Sequence, residues 1–471
     1  MSRRLVRIQV MATLALITLP LSGHIHPMMA AARALQAAGH RPVVVGPPDL
    51  VARIPEDIDT HTIAAADCPP GALDRRCACL SRMSRPSDIG EMFALVAELS
   101  QLYVDHLPAA LDALGADAVL HDQLEPAAGL VARAGAREGL AHISLACALP
   151  MNREPAVPPP FMGWRYRTGA WGHWLNGGYY NVVNLLLRRQ GRVLEAAAAR
   201  FGLAKPDANP DGSPLQDWQE AWSVQDGLSA THDLAQGLAS LDFPRHVAPA
   251  YLGPLRDTRT AYPGLDTIAG ERDGRPLCFV TLGTLMGARA RLLAAMSRAA
   301  ISRGLQPVVV HGGRLPDSAA LPRGTIVRDF LDQRAVLADS AAAIVHGGYN
   351  STTDVVAQGL PFVTLPIAFE QAAIAARVSR ARLGRVVGRR GPDLAQRIAL
   401  SLSDTARDPE CRTARQRARF EALAAPGTSG LLAAVDAALS GHALAPRPAR
   451  LDTALPYSGS TTGLPLPEAA E

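Results

Sequence analysis

Lysine is almost missing from this chain: Lys205 is the only one, so arginine carries nearly all of the 47 basic residues. This bias reads as coding composition rather than function. Blocks of one charge are also missing, because the 47 basic and 43 acidic residues are scattered and leave a net charge of only +4. That excludes the dense basic groove of a nucleic-acid binder. No stretch has the length and uniform apolarity of a membrane-spanning helix, and no repeat of solenoid period is visible. The six cysteines lack the regular spacing of a small disulfide-framed domain. Cys68, Cys77 and Cys79 cluster near His61, but without the paired CxxC units of a zinc module they are expected to be inert thiols on a loop. No compact Asp/Glu cluster suited to a divalent cation is present either, so no metal is expected.

What is present is a large apolar fraction, 48% against 19% charged, over 471 residues. One hydrophobic core rarely organises that length, so two domains are expected. The opening Met1-Ser-Arg-Arg and the apolar residues up to Leu21 imitate a secretory signal. The apolar run continues directly into Gly23-His24 and an Ala-rich helical pattern, however, so cleavage there would remove the first strand. A buried parallel strand is the better reading. Met11, just ahead of it, offers an alternative start that would make residues 1–10 an over-extension.

Short apolar runs at 12–19, 41–45, 118–121 and 142–146 alternate with Ala/Leu-rich helical segments. The same alternation restarts at 277–282 and continues through 306–310, 325–328, 342–345 and 361–365. Strand–helix alternation of this kind implies an α/β fold with two parallel sheets. The expected division is an N-terminal domain over 11–245, a Pro- and Gly-containing linker over 246–273, a C-terminal domain over 274–442, and a disordered Pro/Ser/Thr-rich tail over 443–471.

Aromatic residues make up only 5% of the chain, yet Phe161, Trp164, Tyr166, Trp171, Trp174, Tyr179 and Tyr180 fall within twenty positions. The prolines that precede them argue for an irregular loop. The rings can pack that loop onto the body, or Phe161, Trp164, Tyr166, Trp171 and Trp174 can form an apolar binding surface or touch a membrane. A second concentration lies at His346-Gly347-Gly348-Tyr349-Asn350-Ser351, where a strand turns into a helix. A glycine turn at a helix N-terminus presents unpaired N–H groups and the positive end of the dipole to a phosphate. His346 and Ser351 can add side-chain donors, and Asp354 can accept ribose hydroxyls. Alone, the turn fits a plain helix cap equally well.

From His346 the pattern extends downstream to Gly359, Pro361, Pro366, Glu370 and Gln371 and upstream to Phe330 and Gln333. This arrangement resembles the nucleotide-sugar signature of the UDP-glycosyltransferase family, whose members have the GT-B fold of two Rossmann-like domains facing across a cleft. The resemblance implies that His346, Gly348, Asn350 and Ser351 meet the pyrophosphate, Asp354 the ribose, Phe330 and Gln333 the base, and Glu370 and Gln371 the sugar. Gly283 and Thr284, in Val280-Thr-Leu-Gly-Thr284, resemble the family's phosphate-side turn. Three positions depart from the commoner residues: Phe330 stands for tryptophan, Asp354 for Glu and Glu370 for Asp. Gly23-His24-Ile-His-Pro27 matches the family's opening pattern, with His26 where Asn is common. By that match His24 is the general base and Asp122 its carboxylate partner, a pairing that fixes the imidazole tautomer.

Asp122-Gln-Leu-Glu-Pro-Ala, Ala148-Leu-Pro-Met-Asn-Arg-Glu-Pro, Leu241-Asp-Phe-Pro-Arg, Gly253-Pro-Leu-Arg and the stretch from Pro366 resemble the bacterial zeaxanthin glucosyltransferases within that family. The implied reaction is an inverting transfer of a hexose, glucose from UDP-glucose, to a hydroxyl of a lipophilic acceptor such as a carotenoid. The partners are then a nucleotide sugar and a small apolar acceptor, with no cofactor besides the donor. The expected location is the cytoplasm, including the inner face of the membrane. Macrolide or phenolic acceptors, a GT-B nucleotide-sugar epimerase and a catalytically idle partner protein are the other readings.

Overall fold

The computed structural model describes residues 11–81, 88–205, 208, 214–257, 259, 262–316 and 321–444. Residues 1–10, most of the expected tail and the side chains of Cys77 and Cys79 lie outside the described residues. Cys68, Cys147, Cys278 and Cys411 are free thiols.

Strands β1 (Thr13–Ile17), β2 (Arg41–Gly46), β3 (Asp59–Thr62), β4 (Ala118–Asp122), β5 (Ala141–Ala146), β6 (Asp233–Gln236) and β7 (Ala250–Gly253) form one sheet in the order β3-β2-β1-β4-β5-β6-β7. A second sheet contains β8 (Leu277–Thr281), β9 (Gln306–Val310), β10 (Ile326–Arg328), β11 (Ser340–Val345), β12 (Phe362–Thr364) and β13 (Arg385–Val386), ordered β10-β9-β8-β11-β12-β13. Neighbouring strands in both sheets run parallel. Leu14, Ala15, Leu16 and Ile17 are fully buried, as are the β8 residues Leu277 to Val280. Such continuous apolar strands fit sheets covered by helices on both faces. This is the GT-B architecture implied by the resemblance.

The apolar runs do not mark β3, β6, β7 and β13; β6 is the interior one, a four-residue strand with Asp233 and Gln236 at its ends. β3 is Asp-Thr-His-Thr at the edge of its sheet, with its Asp59 paired to Arg41 at 2.9 Å. β13 is an exposed two-residue edge. β7 falls inside the segment read as a linker and adds the seventh strand to the first sheet. The helix Gly427–Leu439 also departs from the expected division: its Leu431, Ala434 and Val435 join the core of β1, β5 and the helix Ser22–Ala37. Its apolar residues are buried by the first domain, not the second.

In each sheet the strand order reverses beside the first strand, between β1 and β4 and between β8 and β11. Connections leave these neighbours in opposite directions, which opens a crevice at their carboxyl ends where α/β proteins bind ligands.

The domains are joined by a buried ionic cluster. Asp242, in the loop after β6, accepts from Arg245 Nε at 2.8 Å and Tyr251 Oη at 2.6 Å on one oxygen. Its other oxygen accepts from Arg377 Nε at 2.7 Å, across the domain boundary. Burial alone would raise the Asp242 pKa, but the two guanidinium groups hold it well below the usual carboxylate range. Removing the shared carboxylate leaves two buried cations facing each other. Asp242→Asn is therefore expected to destabilise the protein by about 3–5 kcal/mol, read as a fall in thermal and denaturant midpoints. An unchanged midpoint would mean the cluster does not hold the domains.

Candidate active site

The β1 carboxyl end leads at once into the helix Ser22–Ala37, so His24 lies in its first turn. Asp122 is the last residue of β4, the strand paired with β1. The switch point thus brings the two side chains together: His24 Nδ1 stands 2.6 Å from Asp122 Oδ2. Asp122 Oδ1 accepts from Leu124 N at 3.0 Å, which fixes the carboxylate. Burial would lower the His24 pKa, but the charge and hydrogen bond of Asp122, with a smaller contribution from Glu370, raise it above its ordinary value. With Nδ1 engaged, Nε2 is the ring nitrogen that remains for chemistry, and the ring lines an interdomain cleft.

The opposite wall comes from the second switch point. β11 ends at Val345, and the helix Tyr349–Gln358 begins after Gly348 in its cap position. His346 is buried, and burial pushes its pKa down to about 4, so the imidazole is neutral. Gly283, at φ +71° after β8, lies against that ring: a Cβ there would come 2.8 Å from it. Glycine is needed at this turn both for its backbone and for the space.

The cleft, about 460 Å³, is lined by His24 together with Gly283, Thr284, Phe330, Gln333, His346, Gly348, Asn350, Ser351, Asp354, Glu370 and Gln371. Asp122 stands behind His24. Asp354 is held by Arg256 Nε at 2.9 Å and Gln333 Nε2 at 2.5 Å, and Ser351 Oγ donates to Gln333 Oε1 at 3.3 Å. The Gln371 side-chain oxygen accepts from Ile367 N at 2.7 Å and Ala368 N at 3.1 Å, which fixes the loop before its helix. Phe330 stacks on Tyr262 with centroids 5.8 Å apart. Burial raises the Glu370 pKa, opposed by the positive charge His24 can carry.

Several contacts, and three of the residues that make them, had no role assigned from the sequence. Asn350 Nδ2 donates to Gly23 O at 2.7 Å, tying the turn after β11 to the residue before His24. Gln236 donates to Cys147 O at 2.6 Å and to Asn350 Oδ1, and accepts from Arg256 at 2.6 Å. Arg256 closes Gly253-Pro-Leu-Arg256, where the motif itself was the available signal. Gln236 and Tyr262 stand in no motif that would have marked them.

Four of the five aromatic residues expected at an acceptor surface lie elsewhere. Phe161 lines the cleft, but Trp164, Tyr166, Trp171 and Trp174 do not. Trp164 packs edge-on against Tyr179 at 4.1 Å, and Tyr166 stacks on Phe243 at 5.4 Å. The segment is irregular only to Gly169; the helix Ala170–Leu186 then turns Tyr180 and Val183 inward and Trp171 and Trp174 outward. The apolar wall of the cleft is instead supplied by Met92, Phe93, Leu95, Val96 and Leu99 of the helix Asp88–Leu114.

Glu125, capping the helix Pro126–Gly135 behind Asp122, gives a test independent of activity. Burial pushes its carboxyl from 4.5 up to about 8, with the Asp122 charge adding and hydrogen bonds from Ser100 and Ala127 opposing. Between those values the folded state holds a proton that the unfolded chain has lost. Stability should therefore fall as pH rises from about 4.5 to about 8, and Glu125→Gln should flatten that dependence. Thermal midpoints of both proteins across this range decide it; parallel curves would refute the neutral carboxyl.

The chain matches, over residues 301–436, the family model described as the erythromycin biosynthesis protein CIII-like C-terminal domain. It is 33% identical over 387 residues to the zeaxanthin glucosyltransferase of Pantoea ananas, covering 80% of this chain and 85% of that one. To the zeaxanthin glucosyltransferase of Pseudescherichia vulneris it is 32% identical over 419 residues, covering 86% and 94%. The glycosyltransferase VinC, solved in complex with dTDP, superposes with a TM-score of 0.60 at 19% identity, covering 91% of this chain and all of that one. Two curated relatives matched over most of their length, on a fold shared with solved glycosyltransferases, settle the family. The chain belongs to the GT-B-fold glycosyltransferases.

Proposed function

We propose that this glycosyltransferase moves a hexose, glucose from UDP-glucose, with inversion to a hydroxyl of a long apolar acceptor of the carotenoid-diol class. The observation that carries the reading is the His24–Asp122 pair, at 2.6 Å, sharing one cleft with the helix N-terminus after Gly348. A base and an anion site, one from each domain, are the two parts that glycosyl transfer from a diphosphate requires. The acceptor class is supported by the aliphatic wall of the cleft and by the two carotenoid-modifying relatives, each a zeaxanthin glucosyltransferase.

In this scheme the acceptor hydroxyl lies against His24 Nε2. Its oxygen attacks the anomeric carbon from the side opposite the diphosphate, while His24 takes the proton and Asp122 stabilises the resulting imidazolium. The bond from the anomeric carbon to the diphosphate oxygen breaks, and the nucleoside diphosphate leaves with the electron pair. Backbone N–H groups of the helix Tyr349–Gln358, with Ser351, receive the growing charge. His346 is neutral and contributes as a hydrogen-bonding group. Phe330, beside Tyr262, faces the base; Asp354 takes ribose hydroxyls alongside Arg256 and Gln333; Glu370 and Gln371 meet the sugar.

His24→Ala should lower kcat by about 10²–10⁴-fold with nucleotide affinity unchanged, measured by product mass and by calorimetric titration with UDP. Full transfer by that variant would remove His24 from the mechanism. Because Asp122 raises the His24 pKa, Asp122→Asn should slow transfer and move the acid limb of the rate profile to lower pH. A limb that stays in place would separate Asp122 from the base. Crossing UDP- and TDP-sugars with carotenoid, polyketide and phenolic acceptors tests donor and acceptor together, and product from a phenolic acceptor alone would overturn the acceptor class.

A further inference from the structure

The helix Ala170–Leu186 is apolar on the face it turns to solvent. Trp171, Trp174, Val182 and Leu185 recur at helical spacing and are 65%, 66%, 43% and 61% exposed, with Leu186 beside them at 48%. The two indoles stack on each other, centroids 4.9 Å apart, rather than on the body. Soluble proteins seldom leave so many large apolar side chains in one row unless something covers them.

The surrounding charge says what does. From Pro155 to Leu194 there is no acidic residue, whereas Arg165, Arg167, Arg188, Arg189 and Arg192 are all present and exposed. The helix itself carries no Asp, Glu, Lys or Arg, so the arginines stand before and after it. Two rings and a row of aliphatic side chains, flanked along the chain by arginines, match the acyl and headgroup levels of an anionic bilayer surface; the exposed Asp217 and Glu220 belong to the short helix Asp217–Glu220, whose Trp218 stacks on the inward-facing Tyr180. Phe420 and Leu423 are comparably exposed, at 73% and 75%, but their helix mixes Glu410 and Glu421 with its arginines and offers no such complement. Among the described residues no single helix is long and apolar enough to cross a membrane. Contact in the plane of the interface is the geometry left to this one.

The inner face of the same helix gives the contact a purpose. Tyr180, Val183 and, one residue past its end, Leu187 line the cleft beside the aliphatic wall. We infer that the outer face of the helix Ala170–Leu186 docks the enzyme on an anionic lipid bilayer, so that an apolar acceptor passes from the membrane into the cleft along that helix. The acceptor half of this statement rests on the proposed function; the docking half does not.

Both halves can be tested on the full chain. Its co-sedimentation with vesicles of phosphatidylcholine containing roughly one-third phosphatidylglycerol should exceed that with phosphatidylcholine alone and should weaken with added salt. The double variant W171S/W174S should lose about tenfold or more in vesicle affinity, with its thermal midpoint and its transfer to a detergent-dissolved acceptor unchanged. R188Q/R189Q/R192Q should lose the preference for anionic vesicles. With vesicle-embedded acceptor, W171S/W174S should fall behind wild type in kcat/KM. Docking is overturned if W171S/W174S sediments like wild type. It is also overturned if wild type ignores vesicles and is a dimer that the variant dissociates, since a second copy of the chain then covers the face. Vesicle binding without transfer to any acceptor would support docking and count against the proposed function, so the two fail separately.

Discussion

Every chemical feature of this enzyme depends on how two sheets are held across a cleft, and the Asp242 carboxylate between Arg245 and Arg377 is the interaction that holds them. Arg377 lies on the helix Gln371–Arg380, which begins at Gln371 after Glu370, the two residues proposed to meet the sugar. Its guanidinium also sits 4.1 Å above the Phe243 ring, next to Asp242 in the chain. Buried charges are expensive unless paired and hydrogen-bonded, and here both carboxylate oxygens are used. The pairing therefore sets the position of the Glu370–Gln371 end of the cleft relative to the first domain. Tyr349 adds a second fixed point, since Gly237, at φ +139°, lets the ring approach to where a Cβ would stand 2.1 Å from its hydroxyl. The returning helix Gly427–Leu439 adds a third.

Two topological switch points then face each other, and each contributes one half of the proposed reaction. The first yields His24 and Asp122 because β1 and β4 are neighbours whose following segments diverge. The second yields Gly283 and His346 because β8 and β11 are neighbours in the same way. The backbone order alone places His24 opposite the helix end that follows Gly348. What the side chains add is orientation: a carboxylate behind the imidazole, and glycine space around the second histidine.

The legible part of the molecule was the part with one dominant cause. Fully buried parallel strands such as β1 and β8 have no polar alternative and stood out as apolar runs. β3 and β13 did not, because an edge strand solvates one side and tolerates Asp59, His61 or Arg385. That Phe330, Gln333, His346 and the residues through Gln371 share one cleft was readable through an extended motif, since a glycine turn opening a helix constrains both glycines and spacing. Arg256 and Gln236 act through contacts between distant segments, so the motif that ends at Arg256 marks its position but not its role, and Gln236 leaves no local pattern. The aromatic segment was ambiguous for a different reason. Separations of three, eight and three between Trp171, Trp174, Val182 and Leu185 specify a helical face, but an apolar face reads identically whether protein or lipid covers it. Only burial, absent from the sequence, separates Tyr180 from Trp174.

The bond between Asn350 and Gly23 gives the cleft a property that neither domain has alone. Asn350 belongs to the helix end proposed to receive the leaving diphosphate, and Gly23 directly precedes the base. Gln236 binds Asn350 from one side and Arg256 from the other, while Arg256 also holds Asp354. A shift of the donor half would therefore be transmitted to the turn carrying His24 through hydrogen bonds rather than through the distant core. Catalysis of this kind needs base, acceptor oxygen, anomeric carbon and leaving oxygen nearly in line, and about 1 Å of misplacement is costly. Coupling the two end points of that line directly is a physical reason for a polar network at the centre of a cleft whose acceptor side is otherwise aliphatic.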